Sequence, residues 1–470
     1  MTMYVSQERA AIRRASIASL LRGAFVVGVA ALVSTSASAQ ILAPLGCPIF
    51  HCTVEATGVM DEALIQTAAT VTYNNTLGSM KAQACSGDGT HLACLFAIDA
   101  TAGAGQGTLK LLDATTLEPL WGSHAAPDSY DLDPGSSSGG QAPVLFANGD
   151  IAAGDKTYHV RYNLAGGVAG RLALAGKGNN FGLTPISDTH GVVTQTDGVL
   201  TLVNMSTWQA LGSLKLTDSG SRLQVVSPSS ATGNVLYVVA LNPQTNVGYL
   251  FSVVMNAAKQ KPRIRSTYAF TGRTQASPVI VEKAISGLQS NLILLHVPGL
   301  GGDSQNRLVA LKDTGSALVT AWSIDLAAAL PVSPSIDQTT KSLFFEYKDD
   351  SRIFQYNLMT GQPVQTYDIR AIGGFPEGFA LNGHMGATQA NATYTMLLGG
   401  AIASVPGSNG QYVIAFTPVA TPNSLLWAVK VRKTPDKYLA AWNTAPSSNA
   451  GTYCPVVNGP LSGLTRVCDF

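Results

Sequence analysis

The chain has 470 residues, with 29 Lys and Arg against 28 Asp and Glu, a formal net charge of +1. Charged residues are only 12% and Gly occupies 47 positions, a composition that suits a turn-rich exported β protein better than a helical one. That balance excludes bulk-charge attraction to nucleic acid or to an anionic membrane.

Residues 1–39 read as an export signal. Arg9, Arg13, Arg14 and Arg22 form a basic leader, an apolar stretch runs from Ala24 to Val33, and Ala37-Ser38-Ala39 is a small-residue cleavage site. An apolar run this short does not cross a hydrocarbon core of about 30 Å as a helix. Gln40 is the expected first mature residue, and loss of the four arginines and Glu8 brings the net charge near −2. Sec-type export is favoured over the twin-arginine route that Arg13-Arg14 suggests. Cys47 lies eight residues beyond Ala39, so no lipid anchor is expected. No later segment is long and apolar enough to span a membrane as a helix. The expected location is periplasmic or secreted.

Residues 40–78 form an N-terminal extension, with a short helix expected over 60–69 and a strand over 70–73. From residue 79 a repeat takes over. Ala142-Pro143, Thr184-Pro185, Ser227-Pro228, Ser277-Pro278, Ser333-Pro334 and Phe375-Pro376 recur at intervals of 42, 43, 50, 56 and 42 residues. Most are followed by an apolar run, a turn, a second apolar run, a polar turn and a closing strand. That period and grammar predict propeller blades. The first unit is expected to place strands at 91–98, 108–113 and 119–122, the second at 144–146, 157–163 and 171–173. The third through seventh follow to residue 431. One such sheet cannot bury both faces alone, whereas radial stacking buries them and closure protects the edges. Each Pro is expected at the start of an innermost strand, where a missing N–H is tolerated. The fold class is therefore all-β, a seven-bladed propeller over 79–431 with eight blades as the alternative. An irregular tail is expected over 432–470.

All six cysteines lie beyond the signal, as the near neighbours Cys47 and Cys52, Cys85 and Cys94, Cys454 and Cys468. In an exported protein these predict disulfides. Short loop closure favours the three local pairs; the alternative joins the N-terminal pair to the C-terminal pair, since propeller ends meet in space.

Three units carry a further likeness. Gly107-Thr-Leu-Lys-Leu-Leu-Asp-Ala-Thr-Thr-Leu-Glu-Pro-Leu-Trp121, Asn306-Arg-Leu-Val-Ala-Leu-Lys-Asp-Thr-Gly315 followed by Trp322, and Ser351-Arg-Ile-Phe-Gln-Tyr-Asn-Leu-Met-Thr-Gly361 resemble the repeat of the quinoprotein-like (PQQ-repeat) propellers. Trp121, Trp322 and Trp427 fall in closing strands, whereas Trp208 falls in a turn. The resemblance implies a propeller, but that superfamily holds both quinone-dependent dehydrogenases and non-catalytic scaffolds, so fold alone does not assign activity. Its dehydrogenases use adjacent cysteines, a Trp platform and a Ca²⁺ held by Glu, Asn and Asp. This chain has no adjacent cysteines, so neither PQQ nor calcium is expected.

Other candidates weigh less than their bland readings. Asp128, Asp131 and Asp133 offer closely spaced oxygens for a hard cation, but Pro134 interrupts the loop and a solvated turn is favoured. Gly135-Ser136-Ser137-Ser138-Gly139 fits a nucleophile-elbow pattern without the strand–turn–helix setting that it needs. The His residues are dispersed; His124 and His384 are the most loop-like and His296 reads as a strand residue. Lys259, Lys261, Arg263 and Arg265 form one basic cluster, read as a turn and an exposed strand face. The expected function is a non-catalytic envelope module that holds a protein, peptide or polymer on its loops. The alternative is an enzyme, an oxidoreductase or hydrolase/lyase, with its site at the channel mouth.

Overall fold

A computed structural model describes most of residues 81–97, 107–121, 143–432 and 447–468, with short strands between 59 and 74. Residues 1–55, 98–106, 122–142, 433–446 and several shorter stretches lie outside the described set.

Seven antiparallel sheets follow one another along the described chain. The first contains Lys81–Gly87, His91–Ala97 and Gly107–Asp113. The second contains Val144–Leu145, Ile151–Gly154, Tyr158–Tyr162 and Val168–Ala173. The third runs Asn180–Pro185, His190–Gln195, Val199–Asn204 and Gln209–Lys215. In the fourth, Gln224–Val225 and Ser230–Thr232 both pair with Val235–Asn242, which is followed by Val247–Asn256 and Lys261–Thr271. The fifth is Val279–Val281, Leu292–Val297, Asn306–Asp313 and Leu318–Leu326. The sixth is Ser335–Asp337, Ser342–Glu346, Arg352–Asn357 and Pro363–Asp368. In the seventh, Phe379–Leu381 and Gly386–Ala390 pair with Thr393–Ile402, followed by Gly410–Phe416 and Leu425–Arg432.

Burial orders each sheet from axis to rim. Second strands such as Val235–Asn242 and Leu292–Val297 are buried at every position, as a strand covered on both faces requires. Outermost strands such as Pro363–Asp368 are mostly exposed. Apolar clusters join each sheet to the next. Leu109 and Leu111 pack with Ile151 and Val160, Phe146 with Val193 and Val203, and Leu200 and Leu202 with Val238 and Phe251. Tyr237 and Val239 pack with Ile280 and Leu295, and one cluster carries Leu294 and Leu308, Phe344 and Phe345, and Phe416 across the fifth to seventh sheets. Each fully buried side chain of this size contributes about 1.5–3 kcal/mol, so the sheets are held by one another. The architecture is a β-propeller.

The chain ends are better ordered into strands than expected. Val59–Met60 pairs in parallel with Gly386–Ala390 of the seventh sheet, and Ala63–Leu64 in parallel with Thr452–Cys454. Within the helix expected over 60–69, Met60 and Ala63–Leu64 are strand instead, the other positions lying outside the described residues: a helix that short is costly to nucleate, and strand partners are on offer. Residues 447–468 are not irregular but hold Ser447–Asn449, Thr452–Cys454, Val456–Asn458 and Leu464–Cys468. The last of these pairs with Thr70–Asn74, so the described segments that flank the seven sheets meet one another in two further three-stranded sheets. The strand expected over 119–122 is reduced to a single bridge, Leu112 with Pro119.

Tryptophans key neighbouring sheets together. Trp121 Nε1 donates to Leu164 O at 2.9 Å and Trp322 Nε1 to Leu358 O at 3.2 Å, each in the following sheet. Gly361 (φ +69°) lies so close beneath Trp322 that a Cβ there would sit 2.8 Å from the ring. Trp208 (φ 55°) docks in the other direction, donating to His159 O of the preceding sheet at 3.1 Å. Cys85 and Cys94 stand opposite one another and form the local disulfide that was expected. Cys47 and Cys52 lie outside the described residues; Cys454 and Cys468 each end a strand.

Candidate functional site

In the second to sixth sheets the strands run as an antiparallel meander, so the second strand ends on the face where the innermost strand begins. The connections that lead in from the preceding sheet cross that same face. Four second strands carry a buried polar residue there, Gln195, Asn242 and Glu346 as the last residue and His296 as the last but one. Three of them pin connections. Gln195 Oε1 accepts from Gly176 N–H at 2.8 Å and its Nε2 donates to Gly178 O at 2.9 Å. Asn242 Nδ2 donates to Asp218 Oδ2 at 3.0 Å. His296 Nε2 accepts from Leu330 N–H at 3.4 Å, and its Nδ1 lies 3.3 Å from Thr274 Oγ1. In the sixth sheet the pin moves one residue on, where Ala327 N–H donates to Tyr347 Oη at 3.1 Å. Glu346 Oε2 is buried without a hydrogen-bond partner.

Burial sets the charge state of two of these groups. Desolvation lowers the His296 pKa to about 4, so the ring is neutral at physiological pH. Desolvation, reinforced by the charge of Asp350, raises the Glu346 carboxyl well above the ordinary range.

Hydroxyls of the repeated Ser/Thr-Pro steps stitch the hub. Thr184 Oγ1 lies 2.9 Å from Ser229 Oγ, joining third sheet to fourth. Ser230 Oγ donates to Pro278 O at 2.5 Å, joining fourth to fifth. Ser333 Oγ donates to Ser277 O at 3.0 Å, joining fifth to sixth. The innermost strands Val144–Leu145, Ser230–Thr232, Val279–Val281 and Ser335–Asp337 are buried throughout. Pro143, Pro278 and Pro334 precede innermost strands as expected, whereas Pro185 closes its strand. There the third sheet starts its inner strand earlier, at Asn180, where it meets Gln195.

The opposite face carries a second buried network. Asp313 Oδ2 accepts from Tyr237 Oη at 2.5 Å and from Arg265, with Ser252 alongside, and Asp313 Oδ1 accepts from Gly315 N–H at 2.8 Å. Burial and the Asp313 hydrogen bond push the Tyr237 hydroxyl far above its usual range. This ties the fourth sheet to the fifth. It also takes Arg265 out of the basic cluster, leaving Lys261 and Arg263 exposed on the outermost strand.

Asp128, Asp131 and Asp133 lie outside the described residues, as do Gly135–Gly139, His124, His384 and Lys259. His296 is a strand residue, as expected. His91 pairs with Asp88 at 2.9 Å, and that hydrogen bond raises its pKa. Among the described residues no three His, Cys, Asp or Glu converge as a metal site. Glu346 and Asp313 went unnoticed in the sequence. The available signals were a carboxylate closing the apolar run Leu343-Phe344-Phe345 and an Asp opening an Asp-Thr-Gly turn.

No protein-family model matches the chain, and no curated protein matches it. Among solved structures it is similar to Sqt1 of Saccharomyces cerevisiae, at 9% identity and a TM-score of 0.55 over 87% of this chain and all of that one. It is also similar to the WD40 domain of Toxoplasma gondii coronin, at 13% identity and a TM-score of 0.48 over 83% of this chain and 94% of that one. BamB from Moraxella catarrhalis gives 8% identity and a TM-score of 0.46 over 86% of this chain and 99% of that one. The likeness to Sqt1 bears on the fold alone; the two lower scores add no argument to it.

Proposed function

We propose that this chain is an exported, non-catalytic propeller that holds a protein, peptide or polymer of a bacterial envelope on the loops at one mouth of the ring. One observation carries the reading: the innermost strands are buried and cross-linked by hydroxyls, so the axis is spent on the frame and the loops are left to make contacts. Buried polar side chains serve that frame too. His296 pins connections and Asp313 locks two sheets. Export rests on the basic leader and the Ala37-Ser38-Ala39 step, and the Cys85–Cys94 disulfide suits an oxidising compartment.

The test uses the full chain expressed with its leader in a Gram-negative host. The expected product is periplasmic or secreted and begins at Gln40. Lysine cross-linking in the intact envelope should then join a defined component to Lys177, on the face of the pinned connections, or to Lys283 and Lys341, on the other face, but not to both faces. PQQ with Ca²⁺ should change neither the visible spectrum nor the melting temperature. Spectral binding of PQQ with turnover of an alcohol or sugar would replace this reading with the enzyme alternative.

A further inference from the structure

Glu346 stands opposite Ile353, and Ile353 opposite Tyr367. Directly opposed residues share a face, and Tyr367 turns that face toward Phe416 of the seventh sheet, with ring centroids 4.9 Å apart. In the fifth sheet the matching face carries His296, and the next connection runs close enough for Leu330 N–H to reach it. The connection that leaves the sixth sheet winds instead into a short helix, α1 (Ile369–Gly373), ended by Gly374 at φ 63°. No donor reaches Glu346 Oε2, although the residue is only 2% exposed.

Among the described residues the charged and titratable groups around this seam are few; Lys348 and Asp349 lie outside that set. On the same loop Asp350 is clamped by Arg352 at 2.7 Å, and Tyr347 is turned to Ala327. On the outermost strand and helix are Tyr367, Asp368, which accepts from Ser351 Oγ at 2.9 Å, and Arg370. The incoming connection has exposed Glu377, and the seventh sheet has Tyr412. Of these, Asp350 is the charge that acts on Glu346, and its sign is the same. The loop is tied to the seventh sheet by Leu381 N–H donating to Asp350 O at 2.7 Å.

We propose that the seam between the sixth and seventh sheets is a proton-operated latch, shut while Glu346 is neutral and released when Glu346 ionises. An unpaired charge in a dry seam costs several kcal/mol, and the nearest relief is to turn the carboxylate into water. Glu346 closes its strand four residues before Asp350, and on this proposal its rotation pulls on the Leu381–Asp350 bond. The sign follows from linkage: a carboxyl held above its unfolded value of about 4.3 stabilises the seam fully below that value and loses the contribution as pH rises through the folded value. The loop lies on the face of the pinned connections, so on the binding reading proposed above the latch would reshape that rim with pH. The latch itself does not depend on that reading.

The test is hydrogen–deuterium exchange of the mature protein between about pH 5 and about pH 9, corrected for intrinsic exchange. In the wild type, amides of 343–356 and 379–402 should open about tenfold more at the alkaline end, a factor worth about 1.4 kcal/mol. Glu346→Gln should remove the rise while sparing Val235–Asn242; Glu346→Met serves if the amide variant fails to fold. Absence of the rise in wild type, or the same rise in a neutral variant, overturns the proposal. Loss of partner binding with the rise intact would fault only the link to binding.

Discussion

His296 and Glu346 occupy the same place in consecutive sheets. Each lies two residues past the second-strand residue that pairs with the first residue of the innermost strand, Leu294 with Val279 and Phe344 with Ser335. Each innermost strand is preceded by a Ser-Pro step, Ser277-Pro278 or Ser333-Pro334. One position therefore holds a base whose pKa burial pushes down and, one sheet later, an acid whose pKa burial pushes up. Their effects on stability have opposite signs in pH.

The acid side belongs to His296. Its folded value of about 4 lies below the unfolded 6.5, so its contribution is present above the unfolded value and is lost as pH falls toward the folded one. The difference is worth about 3 kcal/mol at most. Thermal unfolding of wild type should weaken as pH drops across that window, and His296→Leu should flatten the dependence while lowering stability at neutral pH through loss of the Leu330 and Thr274 bonds. An unchanged pH slope in the variant would refute the assignment.

The hub hydroxyls make independent contributions. Ser230→Ala and Ser333→Ala each remove one bond across a different seam and should each cost about 1 kcal/mol in urea unfolding. The double variant should be additive within about 0.5 kcal/mol, because the two sites share no partner. Strong coupling would mean that the hub acts as one polar network.

Gly361→Ala should be costly and Gly315→Ala mild by comparison. Both glycines have positive φ, +69° and +87°, but a Cβ at Gly361 meets Trp322 whereas one at Gly315 meets nothing within 4 Å. Strained backbone alone costs about 1–2 kcal/mol, and the ring contact adds to it at Gly361 only. Equal losses in denaturant midpoint would argue against the Trp322 seat.

Asp313→Ala should destabilise by about 3–5 kcal/mol, since it strands Arg265 and the Tyr237 hydroxyl in a buried seam. Adding Arg265→Met to that variant should recover part of the loss. No recovery would place the cost in the Gly315 turn instead.

Much of this was legible because the repeat marks fall where neighbours must touch. Ser277-Pro278 and Ser333-Pro334 announced the inner strands, and fully apolar runs such as Leu292-Ile-Leu-Leu295 announced strands covered on both sides. The role of Ser333 was not legible, since a hydroxyl bond to the preceding sheet's carbonyl leaves no trace in periodicity. Gly386–Ala390 was missed because Gly-Ala-Thr-Gln-Ala shows no alternation, and Lys81–Gly87 because it is built from small and polar residues. Met60 and Ala63–Leu64 were misread as helix because their partners come from more than 300 residues away. Glu346 escaped because its setting depends on where the following connection goes, and α1 decides that only in three dimensions.

Pairing between the segments on either flank of the seven sheets is the most direct test of the whole account. Thr72 stands opposite Arg466, so Thr72→Cys with Arg466→Cys, in the mature oxidised chain, should yield a disulfide between the two introduced thiols, identified by peptide mapping without reduction. Thiols at these positions that stay free, or that join only to native cysteines, would contradict the pairing of Thr70–Asn74 with Leu464–Cys468 on which this account of the propeller rests.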